Sequence, residues 1–259
     1  MFVNQSSLKA RLTAAGIHFG ISLLIALLAA LLVFGVWYPY PYREISGGRE
    51  LFLIVIAVDV VMGPLLTLTV FNRKKPLKEL RRDLAVIGVL QLAALSYGLW
   101  TVAIARPVHL VFEIDRFRVV HAVDIPSEEM HLAPPGLQRL PLMGPTLLSI
   151  RAFKTSQEGF EATMAAVEGA SLGARPGLWQ SYEQAKPEVL KRAHPVSELK
   201  ARFPGRVADI DTALRSALGQ QRPPDTIAYL PLVGRQTFWT VLLDARTAEV
   251  IAFVPIDPF

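Results

Sequence analysis

Three long apolar runs dominate the first 105 residues of the chain. Each contains about 20 predominantly apolar residues, and a helix of that length crosses a hydrocarbon layer of about 30 Å at about 1.5 Å per residue. One charge, Asp59, interrupts the second run, and one amide, Gln91, interrupts the third. The pattern predicts a three-helix transmembrane bundle within residues 1–106, with spans at about 17–37, 51–71 and 84–105.

The first apolar run has the features of a retained membrane anchor. Lys9 and Arg11 precede it, as in a cleaved signal peptide, but its apolar region exceeds the core of about 7–15 residues that signal peptides have. Residues 34–37 also lack the small side chains of a cleavage site. The aromatic residues that follow predict a belt at the headgroup level of the membrane: Trp37, Tyr38, Tyr40 and Tyr42.

From residue 107 onward the apolar spacing is typical of short strands alternating with helices. Strands are predicted at 108–114, 117–125 and 146–153, and as an antiparallel meander at 226–233, 237–243 and 249–254. Helices are predicted from a Ser156 N-cap onward and at 179–193, 195–202 and 206–218, with a long loop at 126–145. Residues 107–259 therefore form an α+β domain with antiparallel strands, large enough for its own core.

The charges divide along the same boundary and predict an orientation. Residues 1–106 carry a net charge of +6, and residues 107–259 carry −1. Eight cations lie in the N-terminal segment and the 72–83 loop, against three on the opposite side of the membrane. The positive-inside rule then places the N-terminus in the cytoplasm and the C-terminal domain in the periplasm of a Gram-negative bacterium. The basic pI of 9.6 therefore reflects membrane topology and not nucleic-acid binding.

Asp59 is the candidate intramembrane polar site. It lies eight residues into the second span, and therefore about 12 Å from the outer surface if that helix begins near Leu51. An ionisable group at that depth costs at least about 2–3 kcal/mol unless it faces protein or water. Because the third span runs antiparallel to the second, Ser96 and Tyr97 are expected at the same level, and we predict a hydrogen bond from one of them to Asp59. A proton relay, a docking point for another transmembrane helix, and a polar residue that only fixes helix packing are all open. Gly63 and Pro64, one turn later, predict a helix kink.

The search for catalytic chemistry is mostly negative. The absence of cysteine excludes disulfides and thiol catalysis. The sequence contains no phosphate-binding glycine loop, His-Glu-x-x-His pair or Gly-x-Ser-x-Gly elbow. His121, Asp124 and His131 lack metal-ligand spacing, so no catalytic, cofactor or metal site is predicted. The charges around the first hairpin predict either cross-strand pairs or a partner-binding patch: Glu113, Asp115, Arg116 and Arg118.

Four consecutive segments carry a family resemblance. They are Ser46 to Phe52, Asp59 to Leu68, Arg82 to Gly98 and Ala105 to Phe117. In this order they resemble the type IV pilin accessory proteins of the TfpX/TfpZ kind, over roughly residues 46–120. The resemblance implies an inner-membrane protein without known enzymatic activity that assists the stability, assembly or display of a cognate major pilin. It implies no cofactor, and it directs attention to Arg106, Asp115 and Arg116 as candidate partner contacts.

The expected partners are the major pilin, the pilus assembly machinery and the lipid bilayer. We expect spans two and three to contact the pilin helix and the outer domain to contact its globular head, because two linked contacts raise the effective concentration. One alternative is a membrane enzyme that modifies or processes pilin, but prepilin peptidases need paired aspartates near the cytoplasmic face. The other is a ligand-binding sensor, for which the sequence offers only a short tail and one loop as cytoplasmic output.

Overall fold

The computed structural model describes residues 5–219 and 223–259, and the chain divides into two compact units. The first unit, called the helical unit, comprises residues 1–39 and 48–104. The second unit, called the sheet unit, comprises residues 40–47 and 105–259. The short segment 40–47 therefore groups with the C-terminal part of the chain, although it lies between the first two apolar runs.

The helical unit contains the three long apolar helices that the sequence predicts. Leu8–Trp37, Gly48–Val70 and Leu77–Ile104 are each long and apolar enough to cross a membrane. The first continues beyond its α-helical part as a π-helix at Val33–Trp37, and the second contains a π-helix at Val58–Met62. The helices of this half of the chain are α1 (Gln5–Leu32), α2 (Tyr42–Ile45, in the sheet unit), α3 (Gly48–Ala57), α4 (Gly63–Val70) and α5 (Leu77–Ile104).

The predicted aromatic belt is wrong for Tyr38 and Tyr42. Tyr38 is 1% exposed, and its hydroxyl donates a hydrogen bond to the Val102 carbonyl at 3.1 Å. Val102 lies in the last turn of α5, where carbonyls have no intrahelical partner, so the Tyr38 hydroxyl satisfies one of them. A Cβ at Gly48 would overlap the Tyr38 ring, which explains the glycine there. Tyr42 instead contacts Phe253 in the sheet unit.

The sheet unit is built on one eight-stranded sheet within the residues described. The strand order is β4-β3-β1-β2-β6-β7-β8, and β5 pairs with β6. The strands are β1 (Pro107–Glu113), β2 (Arg116–His121), β3 (Thr146–Ile150), β4 (Trp179–Ser181), β5 (His194–Pro195), β6 (Ile227–Val233), β7 (Phe238–Asp244) and β8 (Val250–Val254). The helices are α6 (Ser156–Val167), α7 (Tyr182–Arg192), α8 (Val196–Arg202) and α9 (Val207–Leu218).

This arrangement confirms the α+β fold class and adds details that the sequence did not indicate. The β1–β2 hairpin and the β6–β7–β8 meander are antiparallel, as predicted. Two further pairings, β1 with β3 and β2 with β6, are parallel. Residues 179–181, predicted as the first residues of a helix, instead pair with β3 as a strand. The N-cap of α6 is Thr155 and not Ser156, because the Thr155 hydroxyl accepts a hydrogen bond from the Glu158 amide.

The segment 40–47 contributes to the core of the sheet unit. Ile45 is 0% exposed and packs in one cluster with Leu230, Leu232 and Trp239. A Cβ at Gly234 would overlap both the side chain and the carbonyl of Ile45. The segment is therefore anchored by close packing.

Candidate functional site

Asp59 lies at the centre of the second apolar helix. Eleven residues separate it from either end of the stretch, at Gly48 and Val70. At about 1.5 Å per residue, this is about 16 Å from each end, which is close to the middle of a hydrocarbon layer of about 30 Å. The sequence-based estimate placed Asp59 in the outer half because it started the helix at Leu51. The side chain is 7% exposed, so it faces the neighbouring helices and not lipid.

The backbone at Asp59 is π-helical, and Pro64 explains how its carbonyl becomes available. In a π-helix the amide five residues later donates to each carbonyl, which pairs Asp59 with residue 64. Proline has no N–H group to donate. The Gln91 side chain on α5 supplies the missing donor, with its Nε2 at 3.2 Å from the Asp59 carbonyl oxygen.

Gly63 allows Gln91 to reach this position. A Cβ at Gly63 would overlap the Gln91 amide, so any larger residue displaces it. The predicted kink at Gly63 and Pro64 thus coincides with a carbonyl, that of Asp59, which has no backbone donor in its own helix. The Gln91 side chain of α5 supplies that donor. The bend itself remains a prediction.

The predicted hydrogen bond from Ser96 or Tyr97 to Asp59 is wrong. Both residues are exposed, Tyr97 by 69%, and the Tyr97 ring lies beside Trp100 with their centroids 5.8 Å apart. On α5, Gln91, Leu92 and Leu95 line the same cavity as Asp59. Tyr97 lies two residues beyond Leu95, which turns it by about 200° to the opposite face of the helix. The prediction therefore chose the wrong face of α5.

Four polar side chains instead share a cavity of about 230 Å³ in the helical unit. They are His18 and Ser22 on α1, Asp59 on the π-helix, and Gln91 on α5. The His18 side chain is also fixed by a second helix, because its Nδ1 atom hydrogen-bonds the buried Thr67 hydroxyl of α4. Sequence reasoning noted Gln91 but assigned it no role, and it missed His18. The signal that would have found both was their polarity within apolar runs.

The Asp59 carboxyl is incompletely satisfied. Its Oδ1 atom is buried without a hydrogen-bond partner among the described residues. An unsatisfied buried polar atom costs about 1–3 kcal/mol. The cavity therefore combines apolar walls with an acceptor that has unused hydrogen-bonding capacity, and this arrangement is suited to binding a hydrogen-bond donor.

The predicted partner contacts Arg106, Asp115 and Arg116 lie in the sheet unit and already have partners within it. Arg106 donates from Nη2 to the Pro141 carbonyl at 3.2 Å. Arg116 makes a bidentate pair with Asp115, at 2.7 and 3.1 Å, and its guanidinium lies over the Phe259 ring. The hydrogen bond from Arg116 holds the pKa of the Asp115 carboxyl below its ordinary value. Because the pair is partly exposed, it contributes at most about 1 kcal/mol to stability.

The remaining hairpin charges also pair within the hairpin. Arg118 bonds the buried carboxylate of Glu113 at 2.9 Å, and the Gly173 amide donates to the same carboxylate at 2.7 Å. His121 contacts Asp124 at 3.1 Å, and Asp124 in turn pairs with Arg235. Across residues 5–219 and 223–259, no group of three His, Asp or Glu residues is placed to hold a metal ion.

Comparison with known proteins places this architecture in a family. The family model described as fimbrial assembly protein FimB matches residues 6–47. Two fimbrial assembly proteins of Dichelobacter nodosus, of serogroups I and E1, are each 36% identical over 247 residues, covering 95% of this chain and 95% of theirs. A third, of serogroups C1 and C2, is 45% identical over 116 residues, covering 45% of this chain and 88% of its own. No solved structure matches the chain.

These relatives confirm the resemblance to type IV pilin accessory proteins that residues 46–120 predict. The similarity to the serogroup I and E1 proteins extends far beyond that segment, through both the helical unit and the sheet unit. The chain therefore belongs to the family of fimbrial assembly proteins.

Proposed function

We propose that this protein is a membrane-anchored assembly factor of type IV fimbriae that binds the major pilin and acts without catalysis. The observation that carries the proposal is the similarity to two fimbrial assembly proteins along 95% of the chain. Three helices long enough to cross a membrane support the anchoring. The assembly machinery of the fimbria is a further partner.

Binding to pilin would use both units of the chain. The helical unit would contact the membrane helix of the pilin, and the sheet unit would contact its globular head. Because the two contacts are linked by the chain, the second forms at a high effective concentration once the first exists. Two individually weak contacts then suffice to hold a subunit until it enters the fimbria.

The helical unit supports a binding role better than a peptidase role. Asp59 is the one buried carboxylate among the described residues of that unit. Prepilin peptidases, by contrast, use two aspartates near the cytoplasmic face. The polar residues that share the cavity with Asp59 are His18, Ser22 and Gln91, which carry hydrogen-bonding groups but add no second acid.

The charge distribution supports an inner-membrane protein with a cytoplasmic N-terminus and a periplasmic sheet unit. Because the chain has no cysteine, single cysteines report this orientation directly. In cells with a permeabilised outer membrane, a maleimide that cannot cross the inner membrane should label Lys191→Cys and not Lys74→Cys; both lysines are exposed. Labelling at position 74 alone would show the opposite orientation.

Deletion of the gene tests the function. We expect the cells to lose most of their surface fimbriae, because pilin subunits would no longer be held for assembly. The wild-type chain supplied in trans should restore them. Fimbriae are counted by electron microscopy, and growth and detergent sensitivity serve as controls for the rest of the envelope. Unchanged fimbriation would contradict the proposal.

A further inference from the structure

The cavity beside Asp59 lies at the surface of the helical unit and is open for a side chain. Two of its lining residues, Ile21 on α1 and Leu92 on α5, are 54% and 61% exposed. Gly88, another lining residue, has space around it, since no atom lies within 4 Å of a Cβ built there. The cavity is therefore bordered by the first and third apolar helices.

The lining has two chemically different parts. Ile21, Ile25, Ile56, Leu92 and Leu95 provide apolar walls. The polar part holds Asp59, which is more than nine-tenths buried and whose Oδ1 has no partner among the described residues. This part also lies on a π-helix, a conformation that often marks functional positions.

Lipid is a poor occupant of such a cavity. An acyl chain would cover the apolar walls but leave the Asp59 oxygen without a hydrogen bond, which is unfavourable in hydrocarbon. A transmembrane helix that carries a polar side chain fits better, because its apolar surface covers the walls while the polar group hydrogen-bonds the Asp59 oxygen. Hydrogen bonds of this kind recur between membrane helices.

We infer that this cavity is the docking site for the membrane helix of the fimbrial subunit, with Asp59 hydrogen-bonding a polar side chain of that helix. The inference rests on the proposed function, since it names the place where the subunit binds. It also moves the contact from the second and third helices, as the sequence suggested, to the gap between the first and third. His18 and Gln91 line the same cavity, and Gln91 also donates a hydrogen bond to the Asp59 carbonyl.

Photocrosslinking in cells that produce the fimbrial subunit tests this inference. A benzophenone amino acid is placed at Leu92, which lines the cavity, or at Leu24, which is 58% exposed on α1 and outside it. We expect an adduct with the membrane segment of the subunit from position 92 and little from position 24. Equal yields from both positions, or adducts with lipid alone from position 92, would overturn the inference.

Two substitutions then identify the cause. Asp59→Leu removes the hydrogen-bonding group, and Gly88→Leu fills the cavity while Asp59 stays in place. Each should reduce the adduct from position 92 about tenfold, equivalent to about 1.4 kcal/mol. Asp59→Asn, which still hydrogen-bonds, should keep most of it, and a loss as large as that of Asp59→Leu would overturn the hydrogen-bond basis. Gly20→Leu is the matched control, since Gly20 also has open space but lies outside the cavity.

The level of each variant in the membrane, measured by immunoblot, shows whether it folds. If the Asp59→Leu and Gly88→Leu chains keep both their adducts and their fimbriae, the cavity is not the docking site, while the proposed function stands. If deletion of the gene leaves fimbriation unchanged, the proposed function fails first, and the inference fails with it.

Discussion

Replacing Trp179 with alanine is expected to lower the free energy of unfolding of the sheet unit by about 3–5 kcal/mol, the usual cost of removing a buried tryptophan. Trp179 is 1% exposed, and its Nε1–H donates to the Gly173 carbonyl at 2.7 Å. It holds β4 at the edge of the sheet through both packing and this hydrogen bond. Alanine would leave a cavity and an unpaired carbonyl.

The His109 ring beside Trp179 raises the free-energy cost of the cavity that the alanine substitution leaves. The His109 ring packs edge-on against the indole, with their centroids 4.6 Å apart, and its Nδ1 lies 2.6 Å from the Thr146 hydroxyl. Burial lowers the pKa of His109 to about 4, so the ring is neutral at physiological pH. Loss of the indole would admit water to this ring and weaken the contact between β1 and β3.

Thermal unfolding of the full chain in detergent micelles, followed by near-ultraviolet circular dichroism, measures the effect. For a unit of this size, the expected loss shifts the unfolding midpoint by about 10 °C. Trp179→Phe should lose less than Trp179→Ala, because it keeps most of the packing although it removes the hydrogen bond. Phe160→Ala, at a 62% exposed aromatic residue, should change little. A Trp179→Ala midpoint equal to that of the wild type would disprove the structural role.

The apolar helices and the main strands could be predicted from the sequence because both depend on local patterns. A run of about 20 apolar residues specifies its own helix, and two short, mainly apolar segments at 227–233 and 238–244, separated by a turn, specify a hairpin. The parallel pairings of β1 with β3 and of β2 with β6 join segments separated by long connections. No short pattern encodes which distant strands meet, so these pairings were missed.

Segment 40–47 shows the same limit in another form. The tyrosines around it fit a membrane belt as well as a protein core, since both environments suit a ring with one polar end. Which environment each ring occupies depends on residues far along the chain. Tyr38 hydrogen-bonds Val102, and Tyr42 packs against Phe253. Composition alone could not distinguish the two environments.

In the candidate site, the sequence identified Asp59 but not its partners. The cost of a charge in hydrocarbon predicts that Asp59 is turned inward, whatever the details of packing. The partners depend on the rotation of α1 and α5, and an error of two residues reverses a helix face. His18 and Gln91 follow only once that rotation is known.

Replacing Gly63 with alanine is expected to destabilise the helical unit by about 1–2 kcal/mol, because the new methyl group displaces Gln91 and leaves the Asp59 carbonyl without its donor. Pro64 prevents the helix from supplying a replacement N–H. The measurement is an SDS titration of the full chain in bicelles, followed by a fluorophore on a single cysteine at exposed Val86.

A double-mutant cycle with Gln91→Ala tests this explanation. If Gly63 matters because it admits Gln91, then Gly63→Ala should cost almost nothing once Gln91 is alanine, since the hydrogen bond that it disrupts is already absent. Gly16→Ala is the control, because Gly16 has open space around it. Additive costs in the cycle would mean that Gly63 acts through the backbone of its own helix and not through Gln91. The close approach of α5 at this point would then need another cause.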